Sequence, residues 1–584
     1  MRRAPILAVL TWLCIPGLIR GGEAAAPAPK LELKPCTTPG LPPEARCGTY
    51  EVWENRAAKS GRKIPLRVVV LPALGPDRLP DPFVHFTGGP GNSSVMAGVT
   101  RIAQELAAVR QRRDFLLVDF RGTGGSAGLF CPELQGNEVR NRLMEDYMPP
   151  EQVKACAERL GKTADLTQYT NDASVDDVDE VRAALGYDKV NLMGISGGSR
   201  SVLIYLRRHP DRVRTAVLWG VWPPDERGAF GMARNTQQAL DGLIAECASD
   251  PACNAAFPKL RDDVAAVLRQ AEKEPVKVAM TDGDTGKPVE VRLTRTGLAQ
   301  TLRYMLYAPS SAALLPLEVH LAAQGNWKPL VETARFYAGN LNSAAMGYTL
   351  ALTCSEDIAF IREEEIPAAV QGSFLGDFRI RAQQAACAQW PAPRLGREFL
   401  DPVTSDVPVL LVSGELDPAT PPANAERAAR TLKNHLRVVV PAGGHDFEGI
   451  EGTDCVYDLI ARFVETGTEK GLDTSCLKRM KRPEFALKRD ADVELPADQL
   501  ARLAGTYKDR ESGYEMRIET LGPHLRSVAD GQRPFMLVAT SPTRFRIEGL
   551  PGYFFDFQIT EGRATACTLV EPGVPPFTLT REGD

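Results

Sequence analysis

The segment running from Lys189 to Ser199 constrains this chain more than any other. A short apolar run, Val190–Met193, leads into Gly194-Ile195-Ser196-Gly197-Gly198 and then into a helix-like stretch that stops at His209-Pro210. A strand that turns directly into a helix needs small residues beside the turn, and such a turn lifts a serine Oγ clear of the sheet. Two other short apolar runs, Phe83–Phe86 and Phe115–Phe120, also end in glycine-rich turns. Helix-like stretches such as Asp176–Leu185 and Ser199–Arg208 lie between the runs, and the strand pattern returns at Val407–Val412 and Leu436–Val440. This alternation predicts a parallel α/β sheet with its working loops at the strand C-termini.

The chain between these blocks reads differently. From about Asp225 to Pro393 it is helical by periodicity, holds Cys247, Cys253, Cys354 and Cys387, and lacks the strand–glycine–helix pattern. The expected organisation is therefore a core made of residues 27–224 and 394–480, with a helical insertion over 225–393. A basic linker (Lys478, Arg479, Lys481, Arg482) and a short helix near Ala497–Leu503 follow. Beyond Gly505, the runs Tyr514–Ile518, Phe535–Ala539, Thr543–Ile547, Tyr553–Ile559 and Ala564–Val570 alternate at period two. They predict a small antiparallel β domain over 491–584. At the other end, Arg2 and Arg3, an apolar run to about Ile19 and the small residues Ala24-Ala25-Ala26 predict a signal peptide, residues 1–26. The expected product is exported, periplasmic or secreted, with no membrane anchor once the peptide is cleaved.

Charge and cysteine usage narrow the class. A formal net charge of -5, with no basic run beyond that short linker, makes a nucleic-acid surface an unfavoured expectation. Of 12 cysteines, Cys14 falls in the leader, and ten others form near neighbours in sequence. Cys36–Cys47, Cys131–Cys156, Cys247–Cys253, Cys354–Cys387 and Cys455–Cys476 are the natural disulfides of an oxidising compartment, leaving Cys567 over. Connectivity is not readable from spacing, and metal ligation is the competing use of cysteine. No C-x-x-C pair occurs and the six histidines are scattered, so neither a metal nor a cofactor is expected.

A serine nucleophile needs a base and a group that orients the base. After the elbow the expected chain order is Ser, acid, His. Val409–Val412 leads into Ser413-Gly414-Glu415-Leu416-Asp417-Pro418, and Val438–Val440 leads into Pro441-Ala442-Gly443-Gly444-His445. Asp417 is the expected acid, with Glu415 in reserve, and His445 the expected base. The Gly197 N–H, at a helix N-terminus, suits an oxyanion, and the loop Thr87-Gly88-Gly89-Pro90-Gly91 suits the other half of such a site. Gly122-Thr123-Gly124-Gly125-Ser126-Ala127 matches a dinucleotide-binding pattern. However, Cys131-Pro132 stands where a helix is needed, so a structural turn is expected there.

Together, FTGGPGNSS (86–94), VDFRGTGGS (118–126), LGYDKVNLMGISGGSR (185–200), YLRRHPDRVRTAVLWGVWPP (205–224), LTCSED (352–357), SGELDPATPP (413–422) and GGHDF (443–447) carry a resemblance. The chain resembles the secreted tripeptidyl-aminopeptidase-like branch of the proline-iminopeptidase family of α/β-hydrolases, over roughly residues 36–480. The resemblance implies an α/β-hydrolase core with a helical cap and exopeptidase action on peptides with a free N-terminus. It also implies Ser196 as nucleophile, Asp417 as acid, His445 as base, and Gly89 and Gly197 as oxyanion donors. Two positions depart from the family pattern, Thr87 for His and Gly197 for Tyr, and both line the wall beside the scissile carbonyl. The C-terminal domain resembles a small lipocalin-like barrel appended to some serine hydrolases. An aminopeptidase also needs a carboxylate for the substrate ammonium, and Glu356 and Asp357, beside Cys354, are the candidates. A serine esterase acting on small esters with the same triad is the alternative reading.

Overall fold

The computed structural model describes residues 31–582 apart from 39, 100–102, 135–146, 283–284, 340–343, 511–512, 530–533 and 572–573. The expected signal peptide lies outside the described residues. The strands β1 (Lys34–Pro35), β2 (Arg46–Trp53), β3 (Lys63–Leu71), β4 (Phe83–Phe86), β5 (Phe115–Val118), β6 (Val190–Ile195) and β7 (Val213–Trp219) precede the insertion. The insertion adds a separate hairpin, β8 (Val276–Thr281) and β9 (Pro288–Leu293); β10 (Val409–Gly414) and β11 (His435–Val440) then complete the main sheet. Its nine strands run in the order β1-β2-β3-β5-β4-β6-β7-β10-β11. From β5 to β11 neighbours are parallel, while β1, β2 and β3 form an antiparallel wing.

Period two explains how one sheet holds two cores. Val68, Val70, Leu116, Val118, Val409 and Leu411 face the helices Asn171–Ala184, Gly197–Arg208 and Pro422–Ala429. Their chain neighbours Val69, Leu71, Phe115, Leu117, Leu410 and Val412 face the helix Asp454–Thr466 through Leu459 and Phe463. A strand covered on both sides is apolar at every position, which is why these strands read as unbroken runs. Each fully buried Val or Leu contributes roughly 1.5–3 kcal/mol.

The insertion builds its own core from the helices Gly228–Ser249, Leu260–Lys273, Arg295–Met305, Leu315–Ala323 and Lys328–Gly339, with Leu243, Val267, Leu298, Leu302 and Leu330 at its centre. One part of it belongs elsewhere. Met346, Tyr348, Leu350 and Trp390 join the main core against Phe120, Leu129 and Tyr169, so the cap is stitched to the sheet rather than hinged above it.

The C-terminal domain is a closed antiparallel barrel of eight strands, where the alternation had suggested five. They are β12 (Gly505–Lys508), β13 (Glu515–Leu521), β14 (His524–Ala529), β15 (Phe535–Ala539), β16 (Arg544–Ile547), β17 (Leu550–Thr560), β18 (Arg563–Glu571) and β19 (Val574–Arg581). The helix Ala497–Leu503 inserts Leu500 and Leu503 among Tyr507, Phe545 and Phe557. Closure leaves no free strand edge. The barrel docks on the cap through Arg546, which pairs with Glu332 at 3.0 Å and Asp492 at 2.8 Å. The Tyr553 hydroxyl also donates to Glu448, three residues beyond His445, at 2.6 Å. Arg482 of the basic linker is tucked in, stacked on Phe485 and paired with Glu246 at 3.1 Å.

All five near-neighbour cysteine pairs are joined, and Cys567 is free and buried inside the barrel. Among the described residues no helix is long and apolar enough to cross a membrane.

Candidate active site

The C-terminal ends of β4, β6, β7, β10 and β11 converge on one place. Ser196 follows β6 with φ 56° and ψ -121°, a left-handed conformation that a serine adopts only where its surroundings enforce it. Its N–H donates to Trp219 O at the end of β7 (2.8 Å), while its carbonyl accepts from Ser199 N (2.9 Å) and Ser199 Oγ (2.5 Å). The turn closes because Gly194 and Gly198 lack side chains: a Cβ on Gly198 would stand 2.1 Å from Phe86 O, and one on Gly194 2.3 Å from Gly198 O. The same approach sets the Thr87–Gly91 loop over the serine. A Cβ on Gly88 would lie 2.8 Å from Ser196 Cβ, and one on Gly197 3.8 Å from Gly89 N.

That loop is fixed from two sides. Asp119 Oδ1 accepts from Ser93 Oγ (2.6 Å) and Val95 N (3.0 Å) at the far end of the loop, and Asp119 Oδ2 accepts from Gly125 N (2.9 Å). The Gly122–Ala127 turn therefore wraps the Asp119 carboxylate, a structural role in keeping with its reading as a turn. From the cap, Thr349 Oγ1 donates to Pro90 O (2.6 Å) and Ala345 N to Gly91 O (2.9 Å).

Asp417, in the loop after β10, is 2 % exposed. Its Oδ1 accepts from Ala419 N (2.7 Å) and Thr420 N (2.9 Å), and its Oδ2 accepts from Thr420 Oγ1 (2.7 Å) and lies 2.8 Å from His445 Nδ1. Burial alone pushes this carboxyl up. The facing His445 and the Thr420 donors outweigh it and hold Asp417 below the usual carboxylate range. Glu415 is exposed and accepts from Ala442 N at 2.9 Å, so it braces the histidine loop instead of facing the imidazole. The His445 loop hangs between core and cap: Trp219 Nε1 donates to His445 O (3.4 Å), Asp446 N donates to Tyr307 O (2.9 Å), and the Tyr307 ring meets the imidazole edge-on at 4.9 Å. A Cβ on Gly220 would stand 3.2 Å from His445 Cε1. Because Ser196 binds Trp219 and His445 abuts Gly220, the end of β7 joins nucleophile and base.

Glu356 and Asp357 are not a solvated acidic turn. They are 0 % and 2 % exposed. Glu356 accepts from Asn171 N (2.8 Å) and Asn171 Nδ2 (2.6 Å) at the positive end of a 14-residue helix, and Asp357 accepts from Arg200 Nη1 (2.9 Å) and Gly228 N (3.1 Å). Burial pushes the Glu356 carboxyl up to about 7, against the pull of Arg200. Both carboxylates are engaged by Arg200 and by the helix start behind the elbow.

Sequence reading missed Thr420, Trp219, Tyr307 and Asp119. Thr420 stood in the quoted DPATPP run and Asp119 in VDFRGTGGS, so both were visible as neighbours of glycine or proline turns. Trp219 stood before Gly220 in the quoted run 205–224, and Tyr307 carried no local signal.

Two family models match the chain, one described as alpha/beta hydrolase fold over residues 81–256 and one as TAP-like protein over residues 372–476. The serine protease Hip1 of Mycobacterium tuberculosis is 25% identical over 517 residues, covering 80% of this chain and 95% of that protein. The tripeptidyl aminopeptidase of Streptomyces lividans is 27% identical over 474 residues, covering 75% and 84%. Carboxylesterase B of Mycobacterium tuberculosis is 28% identical over 457 residues, covering 73% and 85%. With an elbow serine, glycine loops and an acid–histidine pair at its strand ends, the chain has the α/β-hydrolase fold and is similar to TAP-like proteins.

Proposed function

We propose that this hydrolase is an exported serine exopeptidase that releases short peptides or single residues from free N-termini through an acyl-enzyme. The Asp417–His445 pair beside the Trp219-anchored Ser196 carries the reading. Asp417 holds the proton of His445 on Nδ1, which leaves Nε2 free to take the Ser196 proton as the oxygen attacks the carbonyl. The N–H groups of Gly89 and Gly197 receive the developing oxyanion, each worth roughly 3–4 kcal/mol. His445 then protonates the leaving amine, and water releases the acyl group. Export is supported by five disulfides and by relatives named Hip1 and tripeptidyl aminopeptidase.

The test is hydrolysis of arylamides of one to three residues, each with a free and a blocked N-terminus, beside a short aryl ester. Cleavage that needs the free N-terminus and disappears in Ser196→Ala supports the proposal. Ester turnover without amide cleavage overturns it in favour of the esterase reading. The relative named carboxylesterase B and the Thr87 and Gly197 departures favour that second reading.

A further inference from the structure

Eight arginines are buried among the described residues. Six of them have a carboxylate: Arg110 pairs with Glu44, Arg113 with Asp81, Arg121 with Asp177, Arg182 with Asp179, Arg200 with Asp357 and Arg546 with Glu332. Arg303 and Arg379, 3 % and 7 % exposed, have none among the described residues, where Arg303 Nε and Arg379 Nε and Nη1 also lack a hydrogen-bond partner. An uncompensated buried cation is costly, so a fold retains one where something else supplies the negative charge.

Arg303 reaches the active site through one tyrosine. Arg303 donates to the Tyr307 hydroxyl and lies 4.8 Å from the ring of that tyrosine, which is the ring touching His445. Arg379 enters from the helix Phe378–Cys387 and stacks 3.6 Å over Tyr147. Tyr147 and Tyr307 each feel both guanidiniums and Tyr304. Tyr147, Tyr304 and Tyr307 keep accessible surface, yet burial pushes the Tyr307 phenol up to about 12. Burial keeps the Tyr147 and Tyr307 phenols neutral, so they do not balance the charge. One helical turn along the same helices, Gln300 and Gln383 also hold buried amide atoms without partners.

We propose that Arg303 and Arg379 form a carboxylate-binding subsite beside His445, so that preferred substrates carry a carboxylate near the scissile bond. A guanidinium offers a planar fork that matches a carboxylate with two parallel hydrogen bonds. The inference rests on the serine-hydrolase reading of Ser196, Asp417 and His445. The carboxylate arrives either as an acidic side chain on the acyl side of the cut or as the free C-terminus of a short leaving peptide.

Two substrate arms separate these sources: glutamyl against glutaminyl arylamides, and short peptides with a free C-terminus against their carboxamides. Wild type should favour the acidic member of one arm by at least about tenfold in kcat/KM, carried mainly by KM. Arg379→Gln and Arg303→Gln should collapse that ratio, and Arg379→Lys should restore part of it. Equal use of both members in both arms, or equal losses on acidic and neutral members, overturns the subsite. Calorimetric binding of glutarate against glutaramide to Ser196→Ala reads the subsite without turnover. Glutarate should bind, glutaramide should not, and Arg379→Gln should abolish the difference; no preference for glutarate also overturns the subsite. Failure of amide cleavage with glutarate binding intact refutes the peptidase reading alone. Thermal midpoints identify any variant that fails to fold, and the other arginine then carries the test.

Discussion

Replacing Asp417 by Asn removes one charge and almost no volume, and the structure dictates how the new amide must sit. Ala419 N and Thr420 N both donate to Oδ1, at 2.7 and 2.9 Å, so the single oxygen of Asn is held there. The NH2 group then occupies the place of Oδ2, 2.8 Å from His445 Nδ1 and 2.7 Å from Thr420 Oγ1. A donor facing Nδ1 makes that nitrogen an acceptor and moves the imidazole proton to Nε2. His445 in that tautomer has no lone pair for the Ser196 proton, so the general base is lost while packing is kept. The expected loss is roughly 10⁴-fold in kcat, about 5–6 kcal/mol of barrier, with little change in KM or thermal midpoint. The assay is steady-state turnover of whichever amide or ester the wild type cleaves, beside a melting curve. Thr420→Val serves as the comparison: it removes one hydroxyl from Oδ2 but keeps the carboxylate, and should cost only about tenfold. An Asp417→Asn variant within about a hundredfold of wild type would refute Asp417 as the group that sets the tautomer.

Glu318 sits in the cap with Oε1 accepting from Thr333 at 3.0 Å and Oε2 unpartnered, and burial pushes its carboxyl up from 4.5 to about 8. The folded protein therefore holds this proton more tightly than the unfolded chain, and the associated stability is full below about pH 4.5 and lost as pH rises through 8. Glu318→Gln should raise stability at pH 8 by more than about 1 kcal/mol and give no gain at pH 4.5, read from urea midpoints at the two pH values. Gly198→Ala should abolish activity and lower the melting temperature, because its Cβ would meet the Phe86 and Thr87 backbone at 2.1 and 2.8 Å, atoms that cannot move without parting β4 from the elbow. Replacing Cys354 and Cys387 together by Ser frees a loop of 33 residues and should cost about 3–4 kcal/mol of unfolding free energy. A loss under about 1 kcal/mol would show that the cap packing alone holds that segment.

The strands that end in working loops were legible because each announces itself twice, as an apolar run and as the small-residue turn that follows. β7 announces itself only once: it follows the short turn Pro210–Arg212 and carries no glycine signature before Gly220, yet it joins Ser196 to His445. In the barrel, β12 is four residues long and β19 contains Pro575 and Pro576, which argue against a strand. The register with β18 shifts at that point, between Leu569 and Glu571, so the ladder absorbs the missing donors. Glu356 and Asp357 stood as candidates for a substrate ammonium, and their burial was not legible, because their partners are remote in sequence. Arg200 lies 157 residues from Asp357, and Asn171 lies 185 residues from Glu356. Long-range compensation of charge is invisible in a single sequence, and so is its absence at Arg303 and Arg379.

The disulfides have a consequence for how the chain is made. Their sequence separations are 11, 25, 6, 33 and 21, and no pair encloses or interleaves with another. A chain emerging N-terminus first into an oxidising space can close each bond with the two most recently delivered thiols, before the next pair arrives. Nearest-in-time pairing is then native pairing, and no thiol exchange is required to reach it. Cys567 follows all ten paired cysteines in the chain, and the barrel encloses it; burial pushes its thiol up and keeps it from becoming a thiolate.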